Sequence, residues 1–423
     1  MQLSSLLGHS AELVRIIRKS PQPGDTIASE YFRSKKYLGS TDRRFISGLV
    51  FHTLRTLSLS EAIATHLGLE DVVHGAHLLM DNSENVDLSF INDLPLHVQV
   101  NTQDWLLTST QRRWPTDAAE VWRAMMQSAP LVLRVNLRRA TREAIIKHLT
   151  AEGIECTAGP LSPAAIVVHQ RVNLQQHPLY LGGMVEVQDE GSQLVAYACA
   201  PAETDHILDA CAGAGGKSLH LADLQNDKGR ITAHDIEWNR LKEVPTRANR
   251  AGIRSVWASV DEKRPTRRSS KDIAHYDIVL IDAPCSGMGT VRRLPMVKWR
   301  LTPQTLERHA KKQLSVLEQY APHVREGGIL VYATCSILPE ENENVVAAFL
   351  QAHPEFVPDP LPAGVIPSGV EGKNREMDET SSGHSVISSF SFQADPFHYG
   401  TDGLFMARMR RIANTEQRTQ NSE

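Results

Sequence analysis

Between His206 and about Arg411 the short apolar runs HILDAC, RITAHD, SVWASVD, YDIVLIDAP and GILVYATCS alternate with segments of helical periodicity. Runs this apolar need cover on both faces, and a helix between successive strands supplies it. The arrangement that satisfies both demands is a mainly parallel sheet between two layers of helices, so the expected fold class is α/β. A Pro-, Gly- and Ser-rich stretch from about Pro358 to Gly400, containing VEGKNREMDETSSGHS, reads as a long surface insertion before a last strand, GLFMARMRR.

Upstream the texture differs. To about Ser128 the chain reads as helical: Ile46, Leu49, Val50, Thr53, Leu54 and Leu57 recur at three-to-four spacing after Asp42-Arg43-Arg44. Arg15, Arg18, Lys19, Arg33, Lys35, Lys36, Arg43, Arg44 and Arg55 make the region basic, as either a solvated helical surface or a contact for a polyanion. From Leu131 a small α/β segment follows, with strands LVLRVN and AAIVVH around the helix TREAIIKHLTAEG, and it carries Arg134, Arg138 and Arg139. MVEVQDEGSQLVAYACA then supplies a strand and a helix leading into the main domain. The expected divisions are residues 1–128, 129–185 and 186–412, with 413–423 a disordered tail.

Composition excludes several classes. With 41% hydrophobic and 22% charged residues, and no run of 18 apolar residues, no membrane span is expected. The N-terminal segment lacks a charged leader followed by a long apolar stretch, so a cytoplasmic protein is expected. Five widely spaced cysteines do not form a disulfide framework, and none stands with histidine at metal-ligand spacing, so no metal is expected. A net charge of -4 argues against indiscriminate coating of nucleic acid and leaves local patches open. We expect a monomer.

ILDACAGAGGKS passes from a strand into a helix through Gly213, Gly215 and Gly216, which permit tight bends and close approach of a ligand to the helix N-terminus. Gly216-Lys217-Ser218 matches the end of a phosphate-binding loop, but position 211, where that loop needs its first glycine, is Cys. Cys211, Ala212, Gly213, Ala214, Gly215, Gly216 and Lys217 therefore form a candidate cofactor turn of another kind. Asp235 ends the second strand, where a carboxylate accepts hydrogen bonds from ribose hydroxyls. Asp261 ends the third, where it can face an adenine amino group, and Asp282 ends the fourth.

Two stretches carry the chemistry: IDAPCSGMGTVRRLPMVKW and VYATCSILPEENE. DAPCSG, together with ATCS after a GG-x-L-V-Y strand, resembles the Sun/Fmu (RsmB-like) family of RNA cytosine-5 methyltransferases. The similarity runs from LRVN near Leu133 through QDEGSQL to DGLFMARMRR, and LGSTDRRFISGLVFHTLR resembles that family's NusB-like domain. The resemblance implies a Rossmann-like methyltransferase domain, preceded by a small α/β RNA-binding segment and an all-α NusB-like domain. S-adenosyl-L-methionine is then the expected cofactor and RNA of the small ribosomal subunit the expected substrate. It implies Cys335 as nucleophile, Cys285 as the group assisting release, Asp282 at the cytosine N3 edge and Lys217 beside it.

The residue types suit that chemistry. Carbon 5 of cytosine becomes nucleophilic only after a thiolate adds to carbon 6 and N3 gains a proton or hydrogen bond, and release needs a base or second assisting group. Cys156, Cys199 and Cys211 read as small buried fillers. Arg292, Arg293, Lys298 and Trp299 are expected to offer phosphate partners and a stacking ring. The chain departs from the family pattern at Ala210, Ala214 and Met296, the last standing where an acid is common. Two other readings compete with this one. A DNA-type enzyme would attack through the Pro-Cys motif, against which Thr334-Cys335 speaks. A non-enzymatic RNA-binding factor would not need Lys217, Asp282, Cys285 and Cys335 together.

Overall fold

The computed structural model describes residues 1–83, 85–170, 172–259, 275–365 and 389–413. Asp261, the segment 366–388 of the expected insertion and the tail from 414 lie outside the described residues. Two compact units emerge. Among the described residues, one comprises Met1–Ala129, Gly287–Thr302 and Pro396–His398, and the other comprises the remainder.

The first unit is helical. Its helices include Leu3–Lys19, Gly24–Ser34, Ser40–Arg55, Leu57–Leu67, Val72–Met80, Asp104–Gln111 and Ala118–Met125. Ile46, Leu49, Val50 and Leu54 bury their shared stripe against Leu13, Ile17, Val73 and Ala76. The stripe read as ending at Leu57 is interrupted at Thr56, and Leu57 opens the next helix. Local signals start the elements: the Asp42 carboxylate accepts the Gly39 N–H, and Asp71 accepts those of Val73 and His74.

Here the structure corrects the sequence reading of the segment after the Pro-Cys motif. Lys298 is fully buried and Arg292 nearly so. Lys298 Nζ donates to the Arg55 carbonyl (2.8 Å) and Trp299 Nε1 to that of Leu54 (3.1 Å). Arg300 donates to Ile17 and Ser20. The last carbonyls of a helix have no intrahelical donor and carry partial negative charge, so these side chains cap the ends of Leu3–Lys19 and Ser40–Arg55. Lys298 is therefore not a solvent-facing RNA contact, and the Trp299 indole N–H is committed to a backbone carbonyl. Met296 is apolar for a related reason: with Trp299 it joins this unit's core.

The second unit contains two sheets. The smaller is antiparallel, order β2-β3-β1-β4, built from β1 (Leu131–Val135), β2 (Cys156–Ala158), β3 (Ala165–Val168) and β4 (Val185–Val187). The helix Arg142–Ala151 covers it with Ile145 and Leu149. The arginines this segment carries are engaged inside the unit. Arg134 is buried and donates to the Gly216 carbonyl (3.0 Å), Arg138 pairs with Asp227 (3.8 Å), and Arg139 donates to Gly182 and Arg250 carbonyls.

The larger sheet contains β5 (His206–Asp209), β6 (Arg230–His234), β7 (Val256–Ser259), β8 (Tyr276–Asp282), β9 (Val324–Thr334), β10 (Phe356–Pro358), β11 (Ser391–Ala394) and β12 (Leu404–Arg411). Its order is β10-β12-β9-β8-β5-β6-β7, with β11 also on β12. β9 through β7 are parallel, whereas β10, β11 and β12 pair antiparallel. Alternate residues feed two cores: Ile207, Ile278 and Leu280 on one face, Leu208, Val279 and Ile281 on the other. The stretch from 358 to 400 is thus not all insertion, because β11 is buried within the sheet.

Candidate active site

The chain order β5, β6, β7 runs outward on one side of β5, and β8 returns to its other side. Helices leave the sheet in opposite directions at such a reversal, opening a crevice at the carboxyl ends of the strands. The turn after β5, the end of β8 and the end of β9 meet there.

The turn after β5 bends through two left-handed glycines, Gly213 (φ 54°) and Gly215 (φ 83°). A Cβ at Gly215 would fall 2.8 Å from Val244, so only glycine fits without displacing that core residue. Asp235 Oδ2 accepts the Gly213 N–H at 2.7 Å, and its Oδ1 accepts that of Glu237. This carboxylate therefore shapes the turn, and each oxygen keeps a further lone pair for a ligand. Arg247 donates to the Ala214 carbonyl at 2.7 Å. These residues fit a nucleoside cofactor: a turn with no side-chain bulk at its glycines, the start of the helix Gly216–Leu224, and a strand-end carboxylate of the kind that holds a ribose.

Asp209, to which sequence reasoning gave no role, lies fully buried beneath the turn. It accepts from Ser218 Oγ at 2.6 Å, while its Oδ1 has no hydrogen-bond partner. Burial pushes its carboxyl up to about 7, the Ser218 hydrogen bond opposing and Asp282 adding.

Lys217, at the start of the helix Gly216–Leu224, donates to Asp282 Oδ2 at 2.6 Å. Burial alone would push the ammonium down. The charge and hydrogen bond of Asp282, with Asp209 and Cys335 adding, more than offset that, and Lys217 titrates above the ordinary lysine range. Parallel pairing sets Asp282 opposite Ala333, and the Ala283 N–H donates to the Ala333 carbonyl at 2.8 Å. That register brings the two cysteine turns side by side, with Cys285 Sγ 3.3 Å from Cys335 Sγ and both residues partly exposed. Of the remaining cysteines, Cys199 is pushed up to about 12 by burial, and Cys211 is raised by burial too, so neither thiol is activated.

The structure thus brings together Cys211 to Lys217, Asp235, Asp282, Cys285 and Cys335. It also reveals Glu341, which sequence reasoning passed over although it stands six residues beyond Cys335 in the quoted PEENE run. Among the described residues no group of three or more His, Cys, Asp or Glu is arranged for a metal, and no helix is long and apolar enough to cross a membrane.

A glycine turn and strand-end carboxylate at the reversal of an open parallel sheet, beside paired thiols, suit an S-adenosylmethionine-dependent methyltransferase, and the family match assigns the chain to that class. The chain belongs to the family described as 16S rRNA methyltransferase RsmB/F, which it matches over residues 196–410. Residues 102–175 match the RsmF/B-like ferredoxin-like domain. Over 357 residues it is 33% identical to the probable ribosomal RNA small subunit methyltransferase B of Bacillus subtilis (strain 168), covering 82% of this chain and 75% of that protein. It is 34% identical over 279 residues to the ribosomal RNA small subunit methyltransferase B of Proteus mirabilis (strain HI4320), covering 65% of this chain and 62% of that one. Among solved structures, PH0851 superposes with a TM-score of 0.74 at 23% identity, covering 96% and 99% of the two chains. NSun6 from Pyrococcus horikoshii, solved with SFG, does so with a TM-score of 0.61 at 19% identity, covering 74% and 99%. These last two likenesses speak for the fold.

Proposed function

We propose that this chain methylates carbon 5 of a cytosine in small-subunit ribosomal RNA through a covalent bond between Cys335 and carbon 6. The observation that carries this reading is the approach of Cys335 to Cys285 beside the Lys217–Asp282 pair. The substrate class follows the names of its relatives.

Asp235 and the turn Cys211–Gly216 hold the cofactor, which when bound supplies an electrophilic methyl group. Asp282 and Lys217 meet the N3 edge of the base, and the proton they share moves to N3 as the Cys335 thiolate adds to carbon 6. The electron pair released to carbon 5 takes the methyl group. Cys285, once its thiol proton has passed to solvent, then removes the carbon 5 proton and releases it to solvent after turnover. The carbon 6–sulfur bond breaks, the ring double bond re-forms, and the N3 proton returns to the pair. We assign RNA docking to the helical unit, where Arg15, Lys19, Arg33, Lys36 and Arg44 are exposed. A reaction that depends on free thiols suits a reducing, cytoplasmic setting, and we take the working form to be a monomer.

The test separates attack from release. With labelled cofactor and small-subunit RNA, Cys335→Ala should neither methylate nor bind RNA covalently. Cys285→Ala should methylate once and remain attached, as a slow band on denaturing gels that nuclease removes, and the double variant should give no band. Trapping by Cys335→Ala and not by Cys285→Ala would reverse the roles. Label at any atom other than carbon 5 would refute the reaction.

A further inference from the structure

The Glu341 carboxylate is fully buried, and its four donors are all neutral. Oε1 accepts from the Ser286 N–H (2.7 Å) and Gln313 Nε2 (3.0 Å); Oε2 accepts from the hydroxyls of Ser286 and Ser336 (2.6 Å). An ionised carboxylate presents about four acceptor sites and no donor, so the set is filled. Ser286 directly follows Cys285, and Ser336 directly follows Cys335.

Two neighbours of Glu341 hydrogen-bond the same two turns. Gln313 Nε2 also donates to the Pro284 carbonyl (3.1 Å), immediately before Cys285. Asn342 accepts from Thr334 Oγ1 (2.6 Å) and donates to the Ser336 carbonyl (3.1 Å), bracketing Cys335. A buried carboxylate without a cation is costly to desolvate. Apolar packing would join two loops more cheaply, yet it would not fix them at hydrogen-bond precision.

We propose that Glu341 is a positioning residue for methyl transfer, clamping the Cys285 and Cys335 turns together so that attack and release act on one base without rearrangement. It touches neither thiol and acts through Ser286 and Ser336. The proposal rests on the roles assigned above to the two cysteines.

Two readouts on the full-length protein test it. The first is the rate at which diamide, which takes two electrons and two protons from a thiol pair, joins Cys285 to Cys335, followed by mass spectrometry of the linked peptides without RNA or cofactor. The second is kcat and KM for methylation of small-subunit RNA. Glu341→Ala should slow cross-linking and kcat by at least about ten-fold, the scale set by misplacing reacting groups by under an ångström, with KM for cofactor unchanged. Glu341→Gln keeps the contacts with two of them reversed and should recover most of both rates. Ser336→Ala and Ser286→Ala each remove one arm without emptying the clamp, so they decide the matter if Glu341→Ala does not fold; each should slow both rates by a few-fold. Wild-type cross-linking in Glu341→Ala or in both serine variants would overturn the clamp. Slowed cross-linking with unchanged kcat would overturn its part in the reaction. Were the wild-type protein to show no carbon 5 methylation, the function proposed above would fall, while cross-linking would still judge the clamp.

Discussion

Replacing Lys298 with Met removes a buried cation from the helical unit, and its effect on stability should depend on pH. Burial, with the Arg55 charge adding, lowers the ammonium to about 7. A lysine whose folded value lies below its unfolded value penalises folding fully below the folded value, and the penalty is relieved as pH rises toward the unfolded one. With an unfolded value of about 10.4, the wild-type protein should gain roughly 2 kcal/mol from this group between pH 7 and pH 9. The hydrogen bond lost to the Arg55 carbonyl is worth about 1 kcal/mol at either pH, so it cancels from the difference. Urea unfolding at both pH values reads the effect, followed by tryptophan fluorescence, since Trp105, Trp114, Trp122 and Trp299 all lie in this unit. Wild type should gain the stated amount over Lys298→Met. Equal gains in the two proteins would refute the buried placement. So would a weaker salt dependence of RNA binding in the variant, which a lost phosphate contact would produce.

Asp209 gives a linkage of opposite sign: its folded value is raised to about 7, so the stability it contributes is full below about pH 4 and is lost as pH rises through 7. From pH 5 to pH 8, wild type should lose roughly 2–3 kcal/mol more than Asp209→Asn, and parallel stability curves would count against the raised carboxyl. Asp235→Ala should weaken cofactor binding by roughly 1–2 kcal/mol in calorimetric titration and leave RNA affinity intact; unchanged cofactor affinity would dismiss Asp235 as a ligand.

Features set by neighbours along the chain were readable before the fold was known. The strand runs, the glycine turn and the two cysteine motifs rest on local periodicity and on backbone conformations that few residues tolerate, and both are written in short stretches. Strand ends also gather at one rim of a parallel sheet, so Asp235, Asp282, Cys285 and Cys335 could be assigned to one site. The fate of the basic residues could not be read in this way. Lys298, Arg300 and Arg134 carry the chemistry of a phosphate contact, yet carbonyls at helix ends and turns, supplied by distant parts of the chain, use the same donors. Nor could Glu341, one acid in the PEENE run, be singled out, because its four donors come from three separated segments that only the folded chain brings to one point. Sequence specifies which groups want partners, whereas burial and long-range packing decide which partners they find.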